Sequence, residues 1–221
     1  LAYLWNKIVE HREHPQDDLI TFLINTEVDG ESLSDTDMRG TCLLLLLAGI
    51  DTTWSSIGSS LHHLATHPED RQRLVAALDE PDSELWSLAI EEFLRAYAPV
   101  TMAREVVQDI EMHGQQLKVG DMLLLPFPAA NRDPRAFDRP DEVIIDREHN
   151  RHYAFGVGIH RCLGSNLARM ELRVALQAFL RRVPDFHIAE GAHVRYAGGQ
   201  IRGPRELPLI IDSRRPEPAV A

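Results

Sequence analysis

Apolar positions fall into helix-period stripes over the first part of this chain and into shorter, alternating runs after it. The opening "LAYLWNKIVEHREH" has the spacing of an amphipathic helix already under way, and "DDLITFLIN" (Asp17 to Asn25) carries a second apolar stripe. "EVDGES" (Glu27 to Ser32) is a turn, marked by its Asp-Gly pair. Ser34 followed by Asp37 resembles a capping box, with Asp in place of the usual Glu. A helical pattern then continues to His67, where Pro68 stops it. That is about 33 residues, or roughly 50 Å at 1.5 Å per residue. Its centre, "LLLLLAGIDTT" (Leu43 to Thr53), is apolar nearly all round, which predicts that it is buried.

A short helix is expected from Pro68 to about Leu78, with Pro68 at a permitted first-turn position. The next runs from about Asp82 to Tyr97 and ends before Pro99. From Ala103 to Leu125 the period changes to that of short strands, with turns at His113-Gly114 and Gly120-Asp121. "PFPAANRDPRAFDRPDEVIIDREHN" is proline-rich and polar, a long loop of the kind that is usually functional. A last helix is expected from Leu163 to about Val183, closed by Pro184, then strand-like pieces such as "LPLIID" and a frayed "SRRPEPAVA". Helices, then hairpins, then a helix, with no βαβ alternation, make a mainly α protein with a small β part.

Composition narrows the classes of function. The chain is 44% hydrophobic and 26% charged, ordinary for a globular protein. Its formal charge of -11 argues against general nucleic-acid binding and against docking on anionic membranes. The longest apolar run, Cys42 to Ile50, is far short of the roughly 18 residues of a membrane span, so no anchor is expected in this stretch. Two cysteines make no disulfide framework, which points to a reducing, cytoplasmic setting.

The chemistry concentrates in "AFGVGIHRCLG" (Ala154 to Gly164). Gly156 and Gly158 let the backbone bend tightly and approach a flat object. Cys162 precedes a helix, where free amides and the helix dipole stabilise a thiolate. It has no partner cysteines at zinc or iron–sulfur spacing. A single thiolate can be the axial ligand of a haem. A buried structural cysteine and a reactive nucleophile are the other two readings of the loop taken alone.

The loop does not stand alone. "FGVGIHRCLG" resembles the haem-binding loop of the cytochrome P450 family, with Phe-Gly, Gly two residues on, a basic residue two before the Cys and Gly two after it. "AGIDTT" (Ala48 to Thr53) resembles the family's oxygen-binding segment in the long central helix, and "EEFLR" (Glu91 to Arg95) holds its Glu-x-x-Arg. "ANRDPRAFDRPDEVIIDR" (Ala130 to Arg147) resembles the meander before the cysteine loop, although a position usually Phe is Val143 here. The motifs lie in family order across nearly the whole chain. The implied fold is the C-terminal portion of the cytochrome P450 fold: long central helix, Glu-x-x-Arg helix, β hairpins, meander, cysteine loop and proximal helix. Residues 1–221 are then expected to be the C-terminal part of a single domain, without its N-terminal half. Taken by itself, such a stretch leaves much of the haem site and the long helix exposed.

The resemblance implies haem b, with Cys162 as its iron ligand and amides near Leu163 and Gly164 hydrogen-bonding the sulfur. Phe155 and Gly156 would pack beside the thiolate and haem, and Ala48 and Gly49 would widen the central helix beside the oxygen. His160 and Arg104 match positions that bind haem propionates through charge pairing. Asp51 and Thr52 match the acid–alcohol pair that delivers protons to bound dioxygen. Glu92, Arg95 and Arg147 match a structural ion cluster, of which an isolated Glu-x-x-Arg would be only a surface pair. Leu44, Leu47 and Val100 match pocket-lining positions and read equally as plain core. The implied activity is a monooxygenase of soluble bacterial type acting on a small hydrophobic substrate. Its electrons would come indirectly from NAD(P)H through a ferredoxin-type donor and its reductase, docking near Arg161, Arg169 and Arg173. A non-catalytic haem-binding or sensing protein and a cofactor-free helical fragment are the alternatives.

Overall fold

The computed structural model describes residues 2–80 and 83–214, in two compact units divided within one long helix, between Asp51 and Thr52. The first unit holds α1 (Ala2–Glu13), α2 (Leu19–Ile24), a hairpin of β1 (Glu27–Val28) and β2 (Glu31–Ser32), and the start of α3 (Asp35–Thr66). Asp18 caps α2, its carboxylate accepting from the Thr21 amide at 2.9 Å. The Asp-Gly turn takes left-handed backbone at both central residues, Asp29 (φ 55°) and Gly30 (φ 83°), as a tight two-residue hairpin requires. The capping box forms in altered shape. The Asp37 amide donates to Ser34 Oγ at 3.2 Å, but the shorter Asp37 carboxylate meets the Ser34 hydroxyl, at 2.6 Å, where a Glu would reach a backbone amide. Ile8, Leu23, Met38 and Cys42 form this unit's buried centre.

The second unit contains the rest of α3, α4 (Pro68–Ala76) with a 3-10 turn over Ala77–Asp79, α5 (Glu84–Ala96), a four-residue α6 (Phe127–Ala130) and α7 (Ser165–Arg182). Its strands are β3 (Thr101–Glu105), β4 (Ile110–Met112), β5 (Gln115–Leu117), β6 (Met122–Pro126), β7 (Asp185–Ile188), β8 (Arg195–Ala197), β9 (Gly203–Glu206) and β10 (Leu209–Ser213). They form antiparallel pairs, β3 with β6, β4 with β5, β7 with β10 and β8 with β9. The mainly α class with a small β part is what the sequence pattern predicts. Asp82, the expected start of α5, lies outside the described residues, as does the end of the tail beyond Arg214.

The core of this unit follows helix periodicity. Leu172, Leu176 and Leu180 repeat every four residues on α7 and meet Trp86, Ala89, Ile90 and Phe93 of α5 and Leu64 of α3 in one buried cluster. Two glycines set how closely α3 packs. A Cβ on Gly58 would meet Pro204 Cγ at 2.8 Å, and one on Gly203 would meet Ser55 Cβ at 2.4 Å. The polar loop after β6 is ordered. Phe137 and Ile145 are buried, and turns such as Arg147 N to Ile144 O (3.0 Å) hold it in shape. Val143 packs partly buried against the core.

The burial expected from the apolar circumference of α3 is not met, whereas the exposure expected of this stretch taken by itself is. The centre of α3 is not buried: Leu44, Leu46, Leu47, Ile50 and Trp54 are all exposed, Leu44 at 66%. An apolar circumference records what a helix tends to bury; burial itself needs a facing element, and the described residues supply none there. By length and composition α3 is also long and apolar enough to cross a membrane, with mean hydropathy 1.3 over its best window. Counting only the run Cys42 to Ile50 missed this, and core helices of globular proteins pass the same test.

Candidate functional site

The cysteine loop is built by its own backbone. Gly156 (φ 66°) and Gly158 (φ 72°) take left-handed conformations, and a Cβ on Gly156 would press on the Phe127 ring at 3.4 Å. The loop closes on itself through Cys162 N to Phe155 O (2.9 Å) and Arg161 N to Gly158 O (3.0 Å). The helix that follows starts at Ser165, with Gly164 as its N-cap residue. Cys162 is free and exposed, which removes the buried structural cysteine from the possible readings. Around it Val157, Ile159 and Leu163 also face outward, Ile159 at 97% exposure. Open space lies over Gly158 and Gly164.

Behind the loop lies a buried charge cluster. Glu92 and Arg95 are both completely buried on α5, an orientation the apolar stripe alone does not explain. Glu92 Oε1 accepts from Arg95 Nη2 (2.8 Å) and the Ile144 amide (2.8 Å). Its Oε2 accepts from Arg95 Nε (2.8 Å), Arg147 Nε (3.0 Å) and Asn150 Nδ2 (3.0 Å). Arg95 uses its remaining donors on the carbonyls of Asn131, Pro140 and Glu142, each at 2.8 Å. Arg147 reaches the carbonyls of Asp138, Arg139 and Glu142. Two guanidinium groups against one carboxylate leave excess positive charge, and those meander carbonyls point their negative ends at it. Asn131, also fully buried, ties the meander to the loop: its Nδ2 donates to Arg95 O (3.1 Å) and its Oδ1 accepts from Tyr153 N (2.7 Å). Sequence reasoning missed Asn131 and Asn150, because nothing in a lone asparagine marks it as a buried bridge.

A second set, also missed, joins Glu91 to Arg169 and His152. Glu91 accepts from Arg169 Nε (2.5 Å) and Nη2 (2.9 Å) and from His152 Nε2 (3.0 Å). Burial alone would raise the Glu91 carboxyl; the hydrogen bonds from His152 and Arg169, with the charge of Arg169, outweigh it and pull it down to about 2. The three arginines expected near an electron donor differ in their surroundings. Arg169 is committed to Glu91, and Arg173 donates to Ser83 O (3.4 Å) and Ser87 Oγ (3.1 Å), whereas Arg161 is exposed.

The other predicted residues are spread over both units. His160 is exposed in the 3-10 turn Gly158–His160, and Arg104 is half-buried on β3, its Nη1 donating to Ala103 O at 2.8 Å. Among the described residues neither makes an ion pair. Val100 is half-buried and bridges to Ile201. Leu44, Leu47, Ala48 and Asp51 follow i, i+3, i+4, i+7 spacing on α3 and so share one face, with Thr52 beside Asp51. Asp51 and Thr52 are half-buried rather than enclosed, and Ala48 and Gly49 are exposed with open space at Gly49.

The chain matches the cytochrome P450 family over residues 3–184. It belongs to the cytochrome P450 family. It is 38% identical to the steroid C26-monooxygenase of Mycolicibacterium smegmatis over 211 residues, 95% of this chain and 51% of that protein. It is also 38% identical to the polyketide biosynthesis cytochrome P450 PksS of Bacillus subtilis, over 85% of this chain and 45% of that one. The crystal structure of CYP109E1 from Bacillus megaterium with testosterone superposes with a TM-score of 0.86 at 33% identity, covering 95% of this chain and 57% of that one. The structure of PksS does so with 0.88 at 35%, covering 96% and 54%. The chain spans about half the length of the curated relatives it matches.

Membership of the cytochrome P450 family implies haem with a thiolate ligand, and the residues present fit that group. Among the described residues no cluster of His, Cys, Asp or Glu could hold a bare metal ion. The one soft donor the loop offers is an exposed sulfur, the contribution asked of a protein when the metal brings its own ring of nitrogens. The apolar side chains and open glycines around that sulfur suit a flat, largely apolar partner.

Proposed function

We propose that this cytochrome P450 acts as a haem-thiolate monooxygenase, and that the stretch belongs to one domain, of which it is the C-terminal part carrying the cysteine loop. The observation that carries the reading is the free, exposed Cys162 on a loop closed by the Phe155 carbonyl and backed by the buried Glu92 cluster. Haem, when bound, supplies dioxygen activation and the insertion of one oxygen atom into the substrate. Cys162 would give the thiolate, and the amides of Leu163 and Gly164, ahead of the first turn of α7, would donate to its sulfur. Phe155 and Gly156 shape the wall beside it. Arg104 would supply positive charge, and His160 a ring N–H donor, to the haem carboxylates; neither makes an ion pair among the described residues.

On α3, the small side chains of Ala48 and Gly49 would leave room beside the haem, and Asp51 would pass protons to the Thr52 hydroxyl, which would hold them for dioxygen activation. Leu44 and Leu47, on the Asp51 face of α3, and separately Val100 are the apolar side chains that would meet a small hydrophobic substrate. The steroid and polyketide names of the relatives agree with that chemistry. Electrons would come from NAD(P)H through a ferredoxin-type donor and its reductase, docking near Arg161, Arg169 and Arg173. A reducing, cytoplasmic setting is in keeping with two cysteines that are both free.

The test is NAD(P)H-driven product formation with ferredoxin and reductase. Oxygenated product is expected, and Asp51→Asn should slow its formation about 100-fold. Haem-loaded protein that forms no product from any apolar substrate, and whose haem responds to a bound ligand without turnover, would instead be a sensor.

A further inference from the structure

The Glu91 set meets the cysteine loop at a point the family motifs do not mark. The Arg169 guanidinium carbon lies 4.6 Å from the centroid of the Phe155 ring, while its Nε and Nη2 hold the two oxygens of Glu91. His152, on the same carboxylate, has its ring 6.1 Å from that of Phe155. Phe155 in turn accepts the Cys162 amide. The chain of contacts therefore runs from a carboxylate on α5, through a cation on α7 and an aromatic face, to the backbone of the ligand cysteine. A cation over a ring fixes both partners in orientation as well as position. Arg169 and Glu91 are each about 30% exposed, so solvent screens their charges only in part.

We propose that Arg169 and Glu91 are positioning residues for Cys162: they hold Phe155 in place, and the balance of their two charges sets how strongly the thiolate donates and thereby the reduction potential of its iron. This rests on the reading of Cys162 as the haem ligand. A nearby positive charge stabilises electron density on the thiolate and iron and favours the reduced metal; a nearby carboxylate does the opposite. Arg169 and Glu91 are an opposed pair, and removing either one leaves the charge of the other unopposed.

The test is spectroelectrochemistry of the haem-loaded protein, together with the spectrum of the reduced, carbon-monoxide-bound form. Arg169→Gln should shift the potential negative and Glu91→Gln should shift it positive, while Arg169→Lys recovers part of the first shift. If Arg169→Gln fails to hold haem, Glu91→Gln and Arg169→Lys carry the same comparison of sign. Both substitutions shifting the potential in one direction would mean simple loosening of the loop and overturns the proposal. So does an unmoved potential in both, the result expected if Arg169 only docks an electron donor. Wild-type protein without a red-shifted Soret band overturns the reading of Cys162, and this proposal with it. A normal wild-type band with unmoved potentials overturns this proposal alone.

Discussion

Arg95 donates from both Nε and Nη2 to the carboxylate of Glu92 at 2.8 Å, and neither side chain has any exposed surface. An exposed pair at this spacing contributes well under about 1 kcal/mol. Here the pair is the centre of a network that reaches Arg147, Asn150 and the carbonyls of the meander, so deleting one member leaves the others charged and unpaired. Arg95→Ala is expected to cost about 3–5 kcal/mol, read as a lower midpoint in urea unfolding. A loss below about 1 kcal/mol would mean that the cluster is not buried in solution.

Glu91 makes stability depend on pH. Its folded pKa, about 2, lies below the ordinary 4.5, so its contribution is fully present above about pH 4.5 and is lost as pH falls toward about 2. With a discount for partial exposure, the loss is about 1–3 kcal/mol across that window. Glu91→Gln should flatten this part of the stability profile. Unfolding free energies measured across the window in both proteins check it, and parallel profiles would contradict it.

Glycines on one helix should respond with opposite signs. A glycine inside a helix normally costs about 0.5–1 kcal/mol relative to alanine, and Gly40 has open space around it. Gly40→Ala should therefore stabilise by about that amount. Gly58→Ala drives a Cβ into Pro204 and should destabilise by about 1–3 kcal/mol despite the better helix propensity. Melting temperatures of the two variants give the comparison directly.

Local signals were legible where a residue's neighbours in sequence are also its partners. The α2 stripe, the Asp29-Gly30 turn, the stop at Pro68 and the period change before the hairpins all lie where the sequence pattern puts them. The Cys162 loop was legible because its glycines, its aromatic and its thiol lie within one short stretch. Long-range features were not. The pairing of β7 with β10 and the fit of Gly203 against Ser55 depend on residues far apart in the chain. Asn131 and Glu91 matter only through partners on other elements. The exposure of Leu44 and Leu47 shows the same limit in reverse, since apolar character records a tendency to be covered and says nothing of what covers it.

The reduced, carbon-monoxide-bound absorption spectrum, taken on wild-type protein and on Cys162→Ala after haem loading, tests the central claim most directly. A strongly red-shifted Soret band in the wild type that vanishes in Cys162→Ala is the predicted result. A band that persists in Cys162→Ala, or a wild-type protein that binds haem without it, would contradict the assignment of Cys162 as the iron ligand.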